Sequence, residues 1–107
     1  MKTKNKGLKF ETEMAFRLRE VFPNCRGSRF MGKYWLDSQK VDLTDTEPFY
    51  FQCKNLARSP AYHRILSEMP QNGHINVLLH KRGEKNTVAV LDFEDFLTLL
   101  KNGKGTK

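Results

Sequence analysis

Apolar residues in the first part of the chain recur at a helical interval. From residue 8 to residue 22 they follow one another three or four positions apart, and Pro23 and Asn24 come directly afterwards. This pattern predicts an amphipathic helix over residues 8–22. Short segments around residues 25–30 and 39–44 come next, followed by Asp-Thr-Glu-Pro at 45–48, which is typical of a turn. Residues 49–54 then predict an aromatic-rich strand.

The second half of the chain alternates between the same two patterns. Ser59 and Pro60 form a favourable helix start, and a short apolar face behind them predicts a helix over residues 60–69. Apolar strands are predicted at 75–80 and 87–91, and a last helix is predicted after Asp92. The order α-β-β-β-α-β-β-α, without an internal repeat, indicates one α/β domain over residues 8–100 between flexible basic ends at 1–7 and 101–107.

The net charge of +7 comes from the two ends of the chain. Residues 10–100 hold 12 basic and 12 acidic residues, and the other seven basic residues are Lys2, Lys4, Lys6, Lys9, Lys101, Lys104 and Lys107. Such ends can bind phosphates without sequence preference, or they can simply keep the protein soluble. Without a long apolar run or a secretory signal, we expect a cytoplasmic protein that does not enter the membrane. Two cysteines in such a compartment predict free thiols.

Glu11 is the acidic residue of the first helix that faces its apolar side. At about 100° per residue, it lies about 35° from the centre of the apolar stripe, whereas Glu13 lies about 125° away. A carboxylate is costly to bury unless it meets a cation or hydrogen-bond donors. The helix alone therefore leaves two alternatives open, an ion pair with a residue such as arginine, or a metal site.

Further polar residues lie on the central strands. Alternation puts Gln52 and Lys54 on the same face of their strand. If the segment of Asp42 pairs with this strand through the intervening turn, all three side chains can converge near Glu11. Oxygen ligands suit Mg²⁺ or Mn²⁺, and a nearby ammonium can stabilise the charge that develops on a phosphate.

These residues resemble the motif of the PD-(D/E)XK nuclease superfamily, in which an acid on one strand is followed by acid-X-lysine on the next. Here Asp42 is followed, after the intervening residues 43–51, by Gln52-Cys53-Lys54. Residues 6–13 read Lys-Gly-Leu-Lys-Phe-Glu-Thr-Glu, which is similar to the opening helix of archaeal and phage-type Holliday junction resolvases. The resemblance covers residues 6–100.

The resemblance implies a restriction-endonuclease-like α-β-β-β-α-β core, with a mixed central sheet flanked by helices. It implies an endodeoxyribonuclease dependent on Mg²⁺ or Mn²⁺, resembling a Holliday junction resolvase, which hydrolyses phosphodiesters to a 5′-phosphate and a 3′-hydroxyl. Glu11 and Asp42 would be metal ligands, Gln52 and the backbone carbonyl of Cys53 would complete the shell, and Lys54 would be the catalytic lysine.

The sequence departs from this motif at two positions. Val41 stands in place of the motif proline, and Gln52 stands in place of the usual acid. Glutamine can ligate through its amide oxygen, but it brings no charge, so metal affinity should be lower.

Residues near the predicted site are candidates for DNA contact, and a solvated surface is the alternative for each. They are Lys6, Lys9, Ser28, Arg29, Lys33 and Arg58. Two symmetric cuts in a four-way junction would require a two-fold homodimer, with the last strands and helix as an interface. No small-molecule cofactor is expected.

Three alternatives stay open beside the resolvase. A restriction-type or repair endonuclease could use the same residues on other DNA, because the fold does not define the substrate. The chain could also be a DNA-binding module of the same fold with little or no catalysis, because of Gln52. Finally, Glu11, Asp42 and Lys54 could form a structural ion-pair network.

Overall fold

The computed structural model describes residues 2–105, with side chains from residue 6 to residue 103. Its elements in chain order are helix α1 (Lys2–Leu18), strand β1 (Arg26–Gly27), helix α2 (Tyr34–Ser38), strand β2 (Leu43–Thr44), strand β3 (Phe49–Asn55), helix α3 (Tyr62–Glu68), strand β4 (Ile75–Lys81), strand β5 (Val88–Leu91) and helix α4 (Phe93–Gly105). None of the helices in this range is both long and apolar enough to span a membrane.

The elements follow the predicted order, but α2 was not predicted and the other helices differ in their bounds. Helix α3 begins at Tyr62, with Ala61 as its N-cap, so Ser59 and Pro60 precede the helix and do not start it. Helix α1 begins at Lys2 and ends at Leu18, so it includes most of the segment expected to be flexible. Helix α4 likewise continues to Gly105, beyond the expected end at residue 100. These extensions carry few apolar residues, and hydrophobic periodicity therefore could not reveal them. Residues 1, 106 and 107, which belong to the predicted flexible ends, lie outside the described residues.

The main sheet has three strands in the order β3-β4-β5. Strands β3 and β4 run parallel and are connected through α3, while β4 and β5 run antiparallel. This arrangement confirms an α/β domain with a mixed sheet. Strand β2 was expected to pair with β3, but it pairs with β1 in a separate two-stranded sheet, with Gly27 opposite Leu43.

The core lies between α1 and one face of the main sheet. Phe10 and Met14 of α1 are buried against Phe51 and Cys53 of β3 and their neighbours on β4. Alternation along β3 therefore puts Phe51 and Cys53 on the face that meets α1, and Gln52 on the opposite face. This division of β3 is the one that its sequence predicts.

Candidate active site

Asp42 is attached to β3 by two hydrogen bonds. Its backbone N–H donates to the carbonyl of Phe51 at 2.8 Å, and its Oδ2 accepts a hydrogen bond from the backbone N–H of Cys53, also at 2.8 Å. The residue is buried. The Asp42 segment therefore contacts β3 through Asp42 itself, and not through the pairing of strands that the sequence analysis took as its condition.

Glu11 lies on the inward side of α1, as the helical pattern predicts. Its Oε2 is 3.5 Å from Nη2 of Arg29, and its side chain is 15% exposed. Burial, together with the negative charge of Asp42, raises the pKa of Glu11 to about 7, although Arg29 acts in the opposite direction. Glu11 therefore has an arginine partner and a second carboxylate close by. The sequence had offered the arginine as one of two alternatives.

Burial also raises the pKa of Asp42 to about 6. The N–H of Cys53 and the positive charges of Lys54 and Arg29 lower this pKa, but they only partly offset burial and the charge of Asp37. A cation that binds close to such a carboxyl group stabilises its ionised form.

Asp37, on α2, belongs to the same charged cluster. Its Oδ1 lies 3.6 Å from Nε of Arg29, and its charge raises the pKa values of both Glu11 and Asp42. Asp37 was not among the predicted site residues, since α2 was not predicted and a loop aspartate is ordinarily solvated.

Gln52 and Lys54 flank Cys53 on β3. Gln52 is buried, and its Oε1 has no hydrogen-bond partner among the described residues. Lys54 is half-buried and close enough to Asp42 for its charge to lower the pKa of that carboxyl group. Within the part of the chain that is described, no hydrogen bond or ion pair joins either residue to Glu11. The structure therefore brings together Glu11 and Asp42, with Lys54 near Asp42, but it does not put Gln52 in contact with them.

The available donors fit a hard divalent cation in their chemistry. Glu11 and Asp42 offer carboxylate oxygens, and the unpartnered Oε1 of Gln52 is a buried acceptor, a kind of atom that is usually satisfied. The N–H and C=O of one strand residue point the same way, so the carbonyl of Cys53 faces the side of β3 on which Asp42 lies. Among the described residues no group of three or more His, Cys, Asp and Glu side chains forms a metal site. A third donor would have to be an amide or a backbone oxygen.

The candidates for DNA contact differ in their exposure and in their partners. Ser28 is buried, and its Oγ donates to the carbonyl of Val41 at 2.6 Å, so its hydroxyl cannot reach a DNA backbone. The expectation of a DNA contact at Ser28 is therefore corrected, because this side chain holds the β1 segment against the Asp42 segment. Arg29 is half-exposed but turns towards Glu11 and Asp37. The other candidates are exposed or half-exposed: Lys6, Lys9, Lys33 and Arg58.

Both cysteines are free and buried, which confirms the prediction of two thiols. Burial is the main cause that raises the pKa of each thiol above its ordinary value. Thiols of this kind are poor nucleophiles. Cys53 therefore contributes its backbone groups to the site.

Comparison with protein-family models, with curated proteins and with solved structures gave no match for the chain.

Proposed function

We propose that the chain is a metal-dependent endonuclease that cuts branched DNA, such as a four-way junction. The observation that carries this proposal is that the partly buried Glu11 lies close enough to the buried Asp42 for the charge of Asp42 to raise its pKa, while Lys54 is close enough to lower the pKa of Asp42. A structural ion-pair network would be expected to balance its charges. Here the carboxylates of Glu11, Asp37 and Asp42 face the cations Arg29 and Lys54, and the pKa values of Glu11 and Asp42 remain raised.

Each residue has a defined task in this proposal. Glu11 and Asp42 would hold the metal, with the Cys53 carbonyl as a further oxygen donor. Gln52 lies on the other face of β3, and its amide oxygen would have to turn towards them to join the shell. When bound, Mg²⁺ or Mn²⁺ supplies a Lewis acid that polarises the phosphate and makes water more acidic. Lys54 would donate a hydrogen bond to a phosphate oxygen as negative charge develops there. Hydrolysis forms a bond from water oxygen to phosphorus and breaks the bond from phosphorus to the 3′ oxygen. The water loses a proton, and the 3′ oxygen takes up a proton and leaves as a hydroxyl.

The test is cleavage of a labelled four-way junction and of a linear duplex with the same arm sequence, in Mg²⁺ or Mn²⁺. We expect paired nicks at the junction from the wild type and none from Asp42→Asn or Lys54→Ala. The matched controls are Asp45→Asn and Lys85→Ala, which alter exposed residues of the same charge outside the site. The proposal would be refuted if the wild type cut neither DNA with Mg²⁺ or with Mn²⁺. It would also be refuted if all variants cut the junction equally well.

A two-fold homodimer is part of this proposal, because two symmetric cuts need two sites. Strand β5 lies at an edge of the three-stranded sheet, and Val88 on this strand is exposed. Helix α4 also leaves Phe96 and Leu100 exposed. An open strand edge next to uncovered apolar side chains favours pairing with a second copy. We expect light scattering to give the dimer mass for the wild type and the monomer mass for Phe96→Glu, and a monomeric wild type would contradict this part.

A second candidate function is DNA binding without cleavage. The observation that favours it is Gln52, which supplies no charge where the motif has an acid. Binding of the junction without cutting in either metal would select this function. Restoration of cutting by Gln52→Glu would then identify the missing charge as the cause.

A further inference from the structure

A groove beside Glu11 has features that the nuclease site does not explain. It lies between α1 and the loop from β1 to α2, and it has a volume of about 550 Å³. Its walls include two aromatic residues, Phe30 and Tyr34, and three arginines, Arg19, Arg26 and Arg29. Glu11 also lines it, so the groove shares this residue with the candidate active site.

The two aromatic side chains of the groove are open to solvent. Phe30 is 86% exposed and Tyr34 is 65% exposed. Exposed single apolar residues are common, but here the neighbouring residues Met31 and Trp35 are exposed as well. Uncovered apolar and aromatic side chains on this loop and on the start of α2 indicate a surface for a planar or apolar partner.

The arginines make the groove attractive to phosphate. Nε of Arg19 and Nη1 of Arg26 donate to the carbonyl of Cys25 at 3.0 Å and 2.8 Å, which holds both guanidinium groups in place. Each guanidinium has five N–H donors, so these bonds leave others for a ligand. Of the described residues that line the groove, Glu11 alone is acidic, and it is paired with Arg29. The charge of the walls therefore suits an anion.

Aromatic rings next to arginines suit unpaired nucleotides in particular. Unpaired bases stack on aromatic side chains, while basic residues follow the phosphates. The bases of an intact duplex are already stacked on one another and cannot use Phe30 or Tyr34 without being displaced. Lysines alone would attract any DNA equally, whereas this combination distinguishes open strands from closed ones.

We propose that this groove binds an unpaired stretch of DNA, with bases stacked on Phe30 and Tyr34 and phosphates at Arg19 and Arg26. This inference deepens the proposed nuclease function, on which it rests, because it narrows the branched DNA to forms with unpaired bases next to the cut phosphate. A four-way junction offers such bases only where its arms open at the branch point. A single strand leaving a fork or an opened branch point has this form.

The test measures binding in EDTA, so that it does not depend on cleavage. The probes are a labelled duplex with two unpaired arms and a fully paired duplex of the same length. We expect the wild type to prefer the forked DNA and the double variant Phe30→Ala/Tyr34→Ala to bind it at least about 30-fold more weakly, since each of two stacked bases contributes about 1–3 kcal/mol. Binding to the paired duplex should change less than about twofold, because surface substitutions have small effects.

Two controls separate stacking from other causes. Phe93→Ala removes a ring of similar exposure, 65%, on α4, and it should leave the preference for forked DNA unchanged. Forked DNA with abasic arms keeps the phosphates but lacks the bases, and the wild type should bind it about as weakly as the double variant binds the natural fork. Thermal unfolding of the double variant should match that of the wild type, because both rings are exposed.

The inference would be overturned if the double variant kept the preference for forked DNA, or if abasic arms bound as well as natural ones. These results are distinct from failure of the nuclease proposal. A chain that binds forks through Phe30 and Tyr34 but never cuts would lose the nuclease function and keep the groove. If the protein cut forks equally well without these rings, the groove proposal would fail and the nuclease function would stand.

Discussion

Replacing Asp42 with asparagine should stabilise the metal-free protein at pH 8, which is an unusual result for a buried residue held by a hydrogen bond. The asparagine Oδ1 can still accept the hydrogen bond from the N–H of Cys53 that Oδ2 accepts now at 2.8 Å. The substitution removes the negative charge of the side chain, which burial disfavours. The variant therefore separates the charge of Asp42 from its structural bond to β3.

The magnitude follows from the shift of the Asp42 pKa from 3.8 to about 6. At about 1.4 kcal/mol per pKa unit, the ionised form of Asp42 costs up to about 3 kcal/mol in the folded state. Because the folded pKa is raised, the stabilisation from protonation is full below pH 3.8 and is lost as the pH rises through 6. At pH 8 the variant should gain about 1–3 kcal/mol over the wild type, and this advantage should shrink by about 1 kcal/mol or more at pH 5.

The assay is urea unfolding in EDTA at pH 5 and pH 8, followed by the same measurement with Mn²⁺. Added metal should stabilise the wild type, by about 2.7 kcal/mol at a hundredfold excess over Kd, and should leave Asp42→Asn unchanged. Asp45→Asn is the matched control, because Asp45 is exposed and asparagine tolerates its positive φ of 60°. If Asp42→Asn lost equal stability at both pH values in EDTA, Asp42 would be a satisfied structural acceptor, and the reasoning for a metal centre would fail.

Three further predictions concern the same region. Arg29→Gln should lower stability by up to about 1 kcal/mol at pH 8 and by less at pH 5, because the ionised form of Glu11 loses its partner; equal losses in urea unfolding would contradict this. Ser28→Ala should lower the free energy of unfolding by about 1–3 kcal/mol in the same assay, because it leaves the carbonyl of Val41 without its donor. It should leave DNA affinity unchanged, and weaker DNA binding by the folded variant would show that Ser28 does contact DNA. The increase in melting temperature caused by Mn²⁺ should grow from pH 5.5 to pH 8, because Glu11 and Asp42 must lose their protons to bind metal, and a shift independent of pH would exclude these ligands.

The sequence by itself determined those features that depend on a local period. The 3.6-residue repeat of α1 puts Glu11 at the edge of the stripe that contains Phe10 and Met14, and this holds wherever the helix packs. The alternation of β3 likewise separates Gln52 from Cys53. Both features follow from neighbouring residues along one element, and both agree with the structure.

Only the tertiary structure decided which residues meet across elements. The bond from Cys53 to Asp42, the placing of Arg29 between Glu11 and Asp37, and the burial of Ser28 depend on the path of the chain from α1 to β3. The hydrogen bonds among them join residues 11 to 18 positions apart in the sequence, and no helical or strand period links residues at such separations. Their contacts form when the whole domain packs, and the balance of burial and charge at the site is set at the same time.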